Sequence, residues 1–336
     1  MKLYFAVLLV VMASSPAIAL DDETTLTLLK SAYAEHVASW SSGKLKFTSK
    51  AEHPGKLEID IEGELEWSPD YVYFKGERFE TSSVGILPTV KRSLQILRGD
   101  GMVAALVHHA PEGQKPTDMM FYFPDDDNKD DGGVMRLMPD YRWFLFSLSP
   151  IAMSDFGRLI RPDEPAENDR VIRGITVAGN NISVRNHNKK RGKDSLFGFR
   201  VDAGGLCESF KFDFLGKEGT SYDLITRVWR QTPDQRWFPE KSEVVARMNS
   251  ESAVPYFHYT LTISECRPLD EPGISTTPSL TVFGPIPDGA LVGTRGAGGK
   301  LVYDDVSAAR DPEFEDLLKE QAKKLRGSGF GEGRQK

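Results

Sequence analysis

From residue 57 to 67 apolar side chains recur at every second position. Leu57, Ile59, Ile61, Leu65 and Trp67 alternate with Glu58, Asp60, Glu62, Glu64 and Glu66. Strand side chains point in turn to opposite faces, so this segment fits a sheet with one buried and one wet face, the usual state of antiparallel strands. The same period runs on either side. Leu45 and Phe47 alternate with Lys44, Lys46 and Thr48 before a Pro54-Gly55 turn, and Ser68-Pro69-Asp70 turns the chain into a strand beginning at 71–74. Gly99-Asp100-Gly101 joins strands at 92–97 and 102–108 as a hairpin, and 119–123 is another short strand. Further strands are expected at 171–177, 181–186, 197–202, 207–214, 222–231, 236–248 and 256–265, with a last short one at 280–283.

Two stretches break the alternation with helical spacing. Residues 21–40 open with acidic side chains and Thr24 or Thr25 as a cap, and place Leu26, Leu29, Tyr33, Val37 and Trp40 along one face. Residues 150–160 read as a short central helix after the aromatic run 141–148. Beyond residue 292 the composition shifts: 293–299 is glycine-rich, and 312–325 is expected to be a charged helix in a tail outside the core.

The N-terminus carries Lys2, an apolar run over 3–12, and the small-x-small pattern Ala17-Ile18-Ala19. That is the layout of a secretory signal over 1–19, cleaved before Leu20, and its apolar run is too short to span a bilayer. The expectation is an exported protein, periplasmic or extracellular, soluble after cleavage. A net charge of −7 gives no global attraction for phosphate backbones, so a nucleic-acid partner is not expected. The two cysteines, Cys207 and Cys266, could form a disulfide in an oxidising compartment or remain buried thiols.

The order of these elements resembles the LolA/LolB family of periplasmic lipoprotein carriers and receptors. The residues that carry the likeness are the helix 26–40, the strand 57–67, the hairpin Gln95-Ile96-Leu97-Arg98-Gly99-Asp100-Gly101-Met102-Val103, and the segment from Phe283 through Pro285, Pro287 and Gly289 to Val292. The resemblance covers 22–292 and implies an α+β fold: a strongly curved antiparallel sheet, a half-open β-barrel, with the N-terminal and central helices covering its concave face. It divides the chain into the signal (1–19), a half-barrel domain (20–292), and a linker with a helical tail (293–336). Segments 125–133 and 164–193 are longer than such a carrier needs.

The implied function is binding of lipid-like or lipoprotein acyl chains without catalysis and without a cofactor. Trp40, Phe121, Phe123, Trp143, Phe144, Phe146, Met153 and Phe156 supply large apolar side chains for the cavity and its lid, although each would serve equally as core. The other reading is a cell-envelope scaffold with a filled core, whose insertions bind an envelope protein. Asp126, Asn128 and Asp130 have the alternation of a calcium loop, but the glycine falls one place late and no glutamate closes it, so no metal is expected there. His108 and His109 are adjacent on a strand and point to opposite faces, which does not suit a shared ion. The sequence has no G-x-S-x-G elbow and no histidine context around either cysteine. Arg185, Lys189, Lys190, Arg191 and Lys193 form a basic hairpin tip suited to anionic headgroups or a partner.

Overall fold

A computed structural model describes residues 22–53, 57–81, 89–125, 139, 144–145, 170–188, 193–212, 221–247, 255, 257–295 and 301–304. The chain divides into two compact units that alternate along the sequence. The first comprises Met1–Ser41, Phe47–Glu58 and Asp140–Arg267, and the second Ser42–Lys46, Ile59–Pro139 and Pro268–Lys336.

The first unit opens with helix α1 (Asp22–Ser39). Its sheet runs from β1 (Gly43–His53), whose first residues belong to the second unit, to an open edge. The later strands of the second unit are β2 (Leu57–Trp67), β3 (Tyr71–Thr81), β4 (Val90–Gly99), β5 (Met102–Pro111) and β6 (Thr117–Pro124). The first unit resumes with β7 (Arg170–Ala178), β8 (Asn181–Asn188), β9 (Lys193–Arg200), β10 (Leu206–Phe212), β11 (Ser221–Gln231), β12 (Trp237–Arg247) and β13 (Phe257–Arg267). Its strand order is β1-β13-β12-β11-β10-β9-β8-β7. Every pairing described from β7 to β13 is antiparallel, as short connections between consecutive strands dictate.

Helix α1 buries Thr25, Leu29, Ala32 and His36, one stripe at helical spacing, and Trp40 closes the row just past its end. The stripe is shifted from the expected one: Leu26, Tyr33 and Val37 are only half-buried beside it. The helix stops where Ser39 Oγ donates to the His36 carbonyl at 2.7 Å and Arg236 donates to the Ser39 carbonyl at 2.6 Å. A cation there suits the negative end of the helix dipole. The expected central helix is not found among the described residues. Of 140–160 only Phe144 and Leu145 are described, as a buried helical pair, and the rest lies outside the described residues.

The second unit has the order β15-β14-β6-β5-β4-β3-β2, completed by β14 (Leu291–Arg295) and β15 (Leu301–Asp304). The strand expected at 280–283 is instead a run of turns, with Val282 N–H donating to the Ser279 carbonyl and Gly284 N–H to that of Thr281. The strand lies further on, at β14, which pairs parallel to β6 with Leu291 opposite Met119 and Thr294 opposite Tyr122. Pairing thus continues past residue 292 into β15, which lies antiparallel to β14.

The turns over 279–290 cover one face of β5 and β6, where Leu280, Ile286, Ala290 and Val292 pack with Met102, Ala104, Met120 and Tyr122. Val103, Ala105, Phe121 and Phe123 point the other way and are buried too. Burial on both faces explains why Met102-Val103-Ala104-Ala105-Leu106-Val107 is continuously apolar rather than alternating. The acidic face of β2 is wet at Glu64, which meets Lys44 at 2.9 Å and is thereby held below the usual carboxylate range. Glu66 departs from that expectation. It is 3% exposed and accepts hydrogen bonds from Tyr71 Oη (2.6 Å) and Gly273 N (2.7 Å), which ties the segment after β13 to β2. On the other face of β2 and β3, Gly63 and Gly76 approach closely under the ring of Phe74, and a Cβ on Gly63 would lie 2.6 Å from that ring.

Candidate functional site

The helix-facing side of the first unit combines an aromatic wall with a buried polar cluster. Alternation turns Phe197 of β9, Phe210 of β10 and Trp229 of β11 toward the same side, with Phe197 and Phe210 4.6 Å apart between ring centres. Phe47 of β1 packs against Phe144 at 4.6 Å. Trp40 is fully buried, its indole N–H donating to the Trp237 carbonyl at 2.8 Å and its ring lying 5.7 Å from the Arg236 guanidinium.

Within this wall, two donors converge on one backbone carbonyl. His36 Nε2 lies 3.1 Å from the Leu145 oxygen, and Arg227 Nη1 donates to the same oxygen at 3.5 Å. The carbonyl can only accept, so the imidazole proton sits on Nε2. His36 stands edge-on to Trp229 at 5.5 Å, and Arg227 lies over that ring at 5.6 Å. Trp229 is anchored in turn by its N–H to the Cys207 carbonyl at 3.2 Å. Ser242 is directly opposite Arg227 on β12, buried, with no hydrogen-bond partner for its hydroxyl. Tyr259 on β13 is hydrogen-bonded to Ser49.

Burial sets the ionisation of this cluster. Desolvation is the largest influence on His36 and pushes its pKa down to about 4; the Arg227 charge adds to the shift, and the bond to Leu145 opposes it. Burial likewise lowers Arg227 to about 10, and it pushes the Cys207 thiol and the Tyr259 phenol up to about 12. At neutral pH the described members of the cluster are therefore one cation and neutral polar groups. That arrangement can hold a carbonyl or carboxylate oxygen. It supplies neither a poised nucleophile nor a base near pH 7.

The apolar side chains read from the sequence are divided between the units. Trp40 and Phe144 stand in the first, within the wall, and Phe121 and Phe123 in the second, in its core. Trp143, Phe146, Met153 and Phe156 lie outside the described residues, as do Asp126, Asn128 and Asp130. The Cys207–Cys266 disulfide is not formed: both thiols are free and buried. Strand order explains why. β10 and β13 are three strand steps apart, ~14 Å at the usual spacing, which no disulfide spans. The sequence reading missed His36, Arg227, Ser242 and Tyr259. Arg227 did carry a signal, since it shares the parity of Trp229 on its strand.

Among the described residues no helix is long and apolar enough to cross a membrane, and no group of three metal-ligating side chains occurs. The described residues are thus mostly antiparallel β-structure with one helix. No family model and no curated protein matches the chain. Solved structures are similar to it, two of them as follows. One is an outer membrane lipoprotein-sorting protein domain from Vibrio parahaemolyticus, at 11% identity and a TM-score of 0.35, covering 74% of this chain and 94% of that one. The other is a LolA superfamily protein from Nitrosomonas europaea, at 10% identity and a TM-score of 0.31, covering 76% and 96%. Both belong to the kind of protein that the order of elements in the sequence resembles.

Proposed function

We propose that the chain is an exported, non-catalytic binding protein that shelters an acyl chain or similar lipid-like ligand against the helix-covered wall of its first unit. The observation that supports this most is the Leu145 carbonyl held by His36 and Arg227 among aromatic side chains. An apolar wall favours a ligand by ~0.8 kcal/mol per buried CH₂ without demanding shape specificity. The paired donors give the polar end of such a ligand, an ester or carboxylate oxygen, the same bonds that the Leu145 carbonyl now takes. Helix α1 suits a movable cover: its buried stripe includes Thr25, Ala32 and His36, so lifting it exposes less apolar surface than a leucine-lined helix would. The signal over 1–19 and the lid role of 140–160, with Trp143, Phe146, Met153 and Phe156, belong to the same reading.

Native mass spectrometry of the exported protein, before and after organic extraction, tests it. Acyl species that are extracted, and that reload when a fatty acid or phospholipid is added back, are expected. Arg227→Leu, if still folded by circular dichroism, should bind a carboxylate-headed probe at least tenfold more weakly, about the effect of losing one charge-assisted hydrogen bond. A clean apo mass with no uptake of added lipid would defeat the proposal and leave an envelope scaffold with a filled core.

A further inference from the structure

The sheet face of the first unit turned away from α1 carries large apolar side chains in solvent, set among cations that pair with no described acid. Arg185 of β8, Leu196 of β9 and Lys211 of β10 are directly opposite one another in register. Leu196 is 40% exposed, and both its basic neighbours are exposed. On β11 and β12, Val228 is 53% exposed and stands opposite exposed Lys241. Between the two groups runs a row of short side chains, Ser183, Gly198, Ser209 and Thr226. Three acids described nearby are engaged. Asp194 is held by His187 at 2.6 Å, Glu208 by Arg200 at 3.3 Å, and Glu243 by His258 at 2.8 Å. Arg185, Lys211 and Lys241 form no ion pair with a described residue.

We propose that this face docks on an anionic lipid surface. Leu196 and Val228 would enter the headgroup region, while Arg185, Lys211 and Lys241 pair with lipid phosphates and lay their alkyl stems along the boundary. Neither signal holds a protein on a membrane alone, but an apolar contact and a set of cations together do. The whole chain bears a charge of −7, so an anionic bilayer repels most of its surface. Free cations gathered on one face therefore fix the orientation of approach. A basic face with exposed apolar side chains suits a bilayer better than an acidic protein, whose carboxylates would gain nothing from Leu196 or Val228. The inference does not depend on the acyl-binding reading, because docking and ligand wall lie on opposite faces of the same strands.

The test is co-sedimentation of the exported protein, its N-terminus read by mass spectrometry, with vesicles of phosphatidylcholine alone or mixed with phosphatidylglycerol. Binding to the mixed vesicles only, weakened by salt, is expected. Each cation removed should weaken it about 5-fold, so Arg185→Gln with Lys211→Gln and Lys241→Gln together should cost about 100-fold. Leu196→Ser with Val228→Ser should also weaken binding, whereas Arg185→Lys with Lys211→Arg should retain it. Circular dichroism and the thermal melt should be unchanged in all these variants, which serves as the check on folding. No preference for the anionic vesicles, or unchanged binding by the triple glutamine variant, would overturn the proposal. Equal binding to soluble polyglutamate, insensitive to the two serine changes, would also overturn it, since charge alone would then suffice.

Discussion

Acidification should loosen the first unit through a single histidine. An exposed imidazole takes its proton near 6.5, and buried His36 takes one only near 4. Between those values the unfolded chain binds more protons than the folded one, so stability falls as pH falls. The contribution of neutral His36 is fully present above the unfolded value and is lost as pH drops toward the folded one. Going from about pH 7 to about pH 5 should cost ~2 kcal/mol through this residue alone. The strain falls on the Leu145 attachment, because a second positive charge would sit beside Arg227. Urea unfolding followed by tryptophan fluorescence at the two pH values measures the loss. His36→Gln keeps an N–H donor but does not titrate. Its loss of stability over the same interval should be smaller than that of the unaltered protein by about this ~2 kcal/mol. Carboxylates elsewhere titrate equally in both proteins and cancel in the comparison. Equal losses would refute the reasoning and show that His36 is hydrated in the folded state.

Three further outcomes are expected. Gly76→Ala would drive a methyl group into the Glu62 carbonyl and the Phe74 ring, and should lower stability by ~1–3 kcal/mol in a thermal melt; an unchanged Tm would contradict the close approach of β2 and β3. Glu66→Leu removes the acceptor for both Tyr71 and Gly273, at ~1–3 kcal/mol for the stranded donors, and limited proteolysis should cut sooner within 268–290. Cys207 and Cys266 should react with a thiol reagent only after denaturation, two per chain, and a reductant should leave Tm unchanged; a chain that shows no thiols when denatured would contradict the free state.

Wherever one face of a strand is wet, the strands were legible in the sequence, and β2 is the clearest case. Alternation there is a direct record of burial. The strands that escaped notice are those whose reasons are distant. Leu291-Val292-Gly293-Thr294-Arg295 is short and holds a glycine, and only Met119–Tyr122, far upstream, makes it a strand. At 280–283 the reverse occurred. Leu280 and Val282 alternate as in a strand, yet what fixes them is a pocket of methionines and alanines that a run of turns fills equally well. Of the aromatic wall, Trp40 and Phe144 were singled out in the sequence for the cavity, and Phe47, Phe197, Phe210 and Trp229 were not. The polar half could not be read, because a charged residue in an alternating strand ordinarily faces water. Arg227 points inward with Trp229, where only the assembled wall keeps it. The basic row at Arg185 and Lys211 was half visible as a hairpin tip, but its apolar partner Leu196 emerges only from strand register.

The parallel seating of β14 on β6 has a consequence for how the protein is made. Synthesis from the N-terminus delivers β6 long before β14, with the whole of β7 to β13 emerging in between. Until residue 295 arrives, β6 presents an unpaired edge, and Met102, Met120 and Tyr122 lack the turns that cover them. The second unit therefore starts before β7 to β13 and finishes after them. During that interval its own edge is a site for mispairing with another chain, so a holding chaperone should raise the yield of this protein more than that of one folding from contiguous segments.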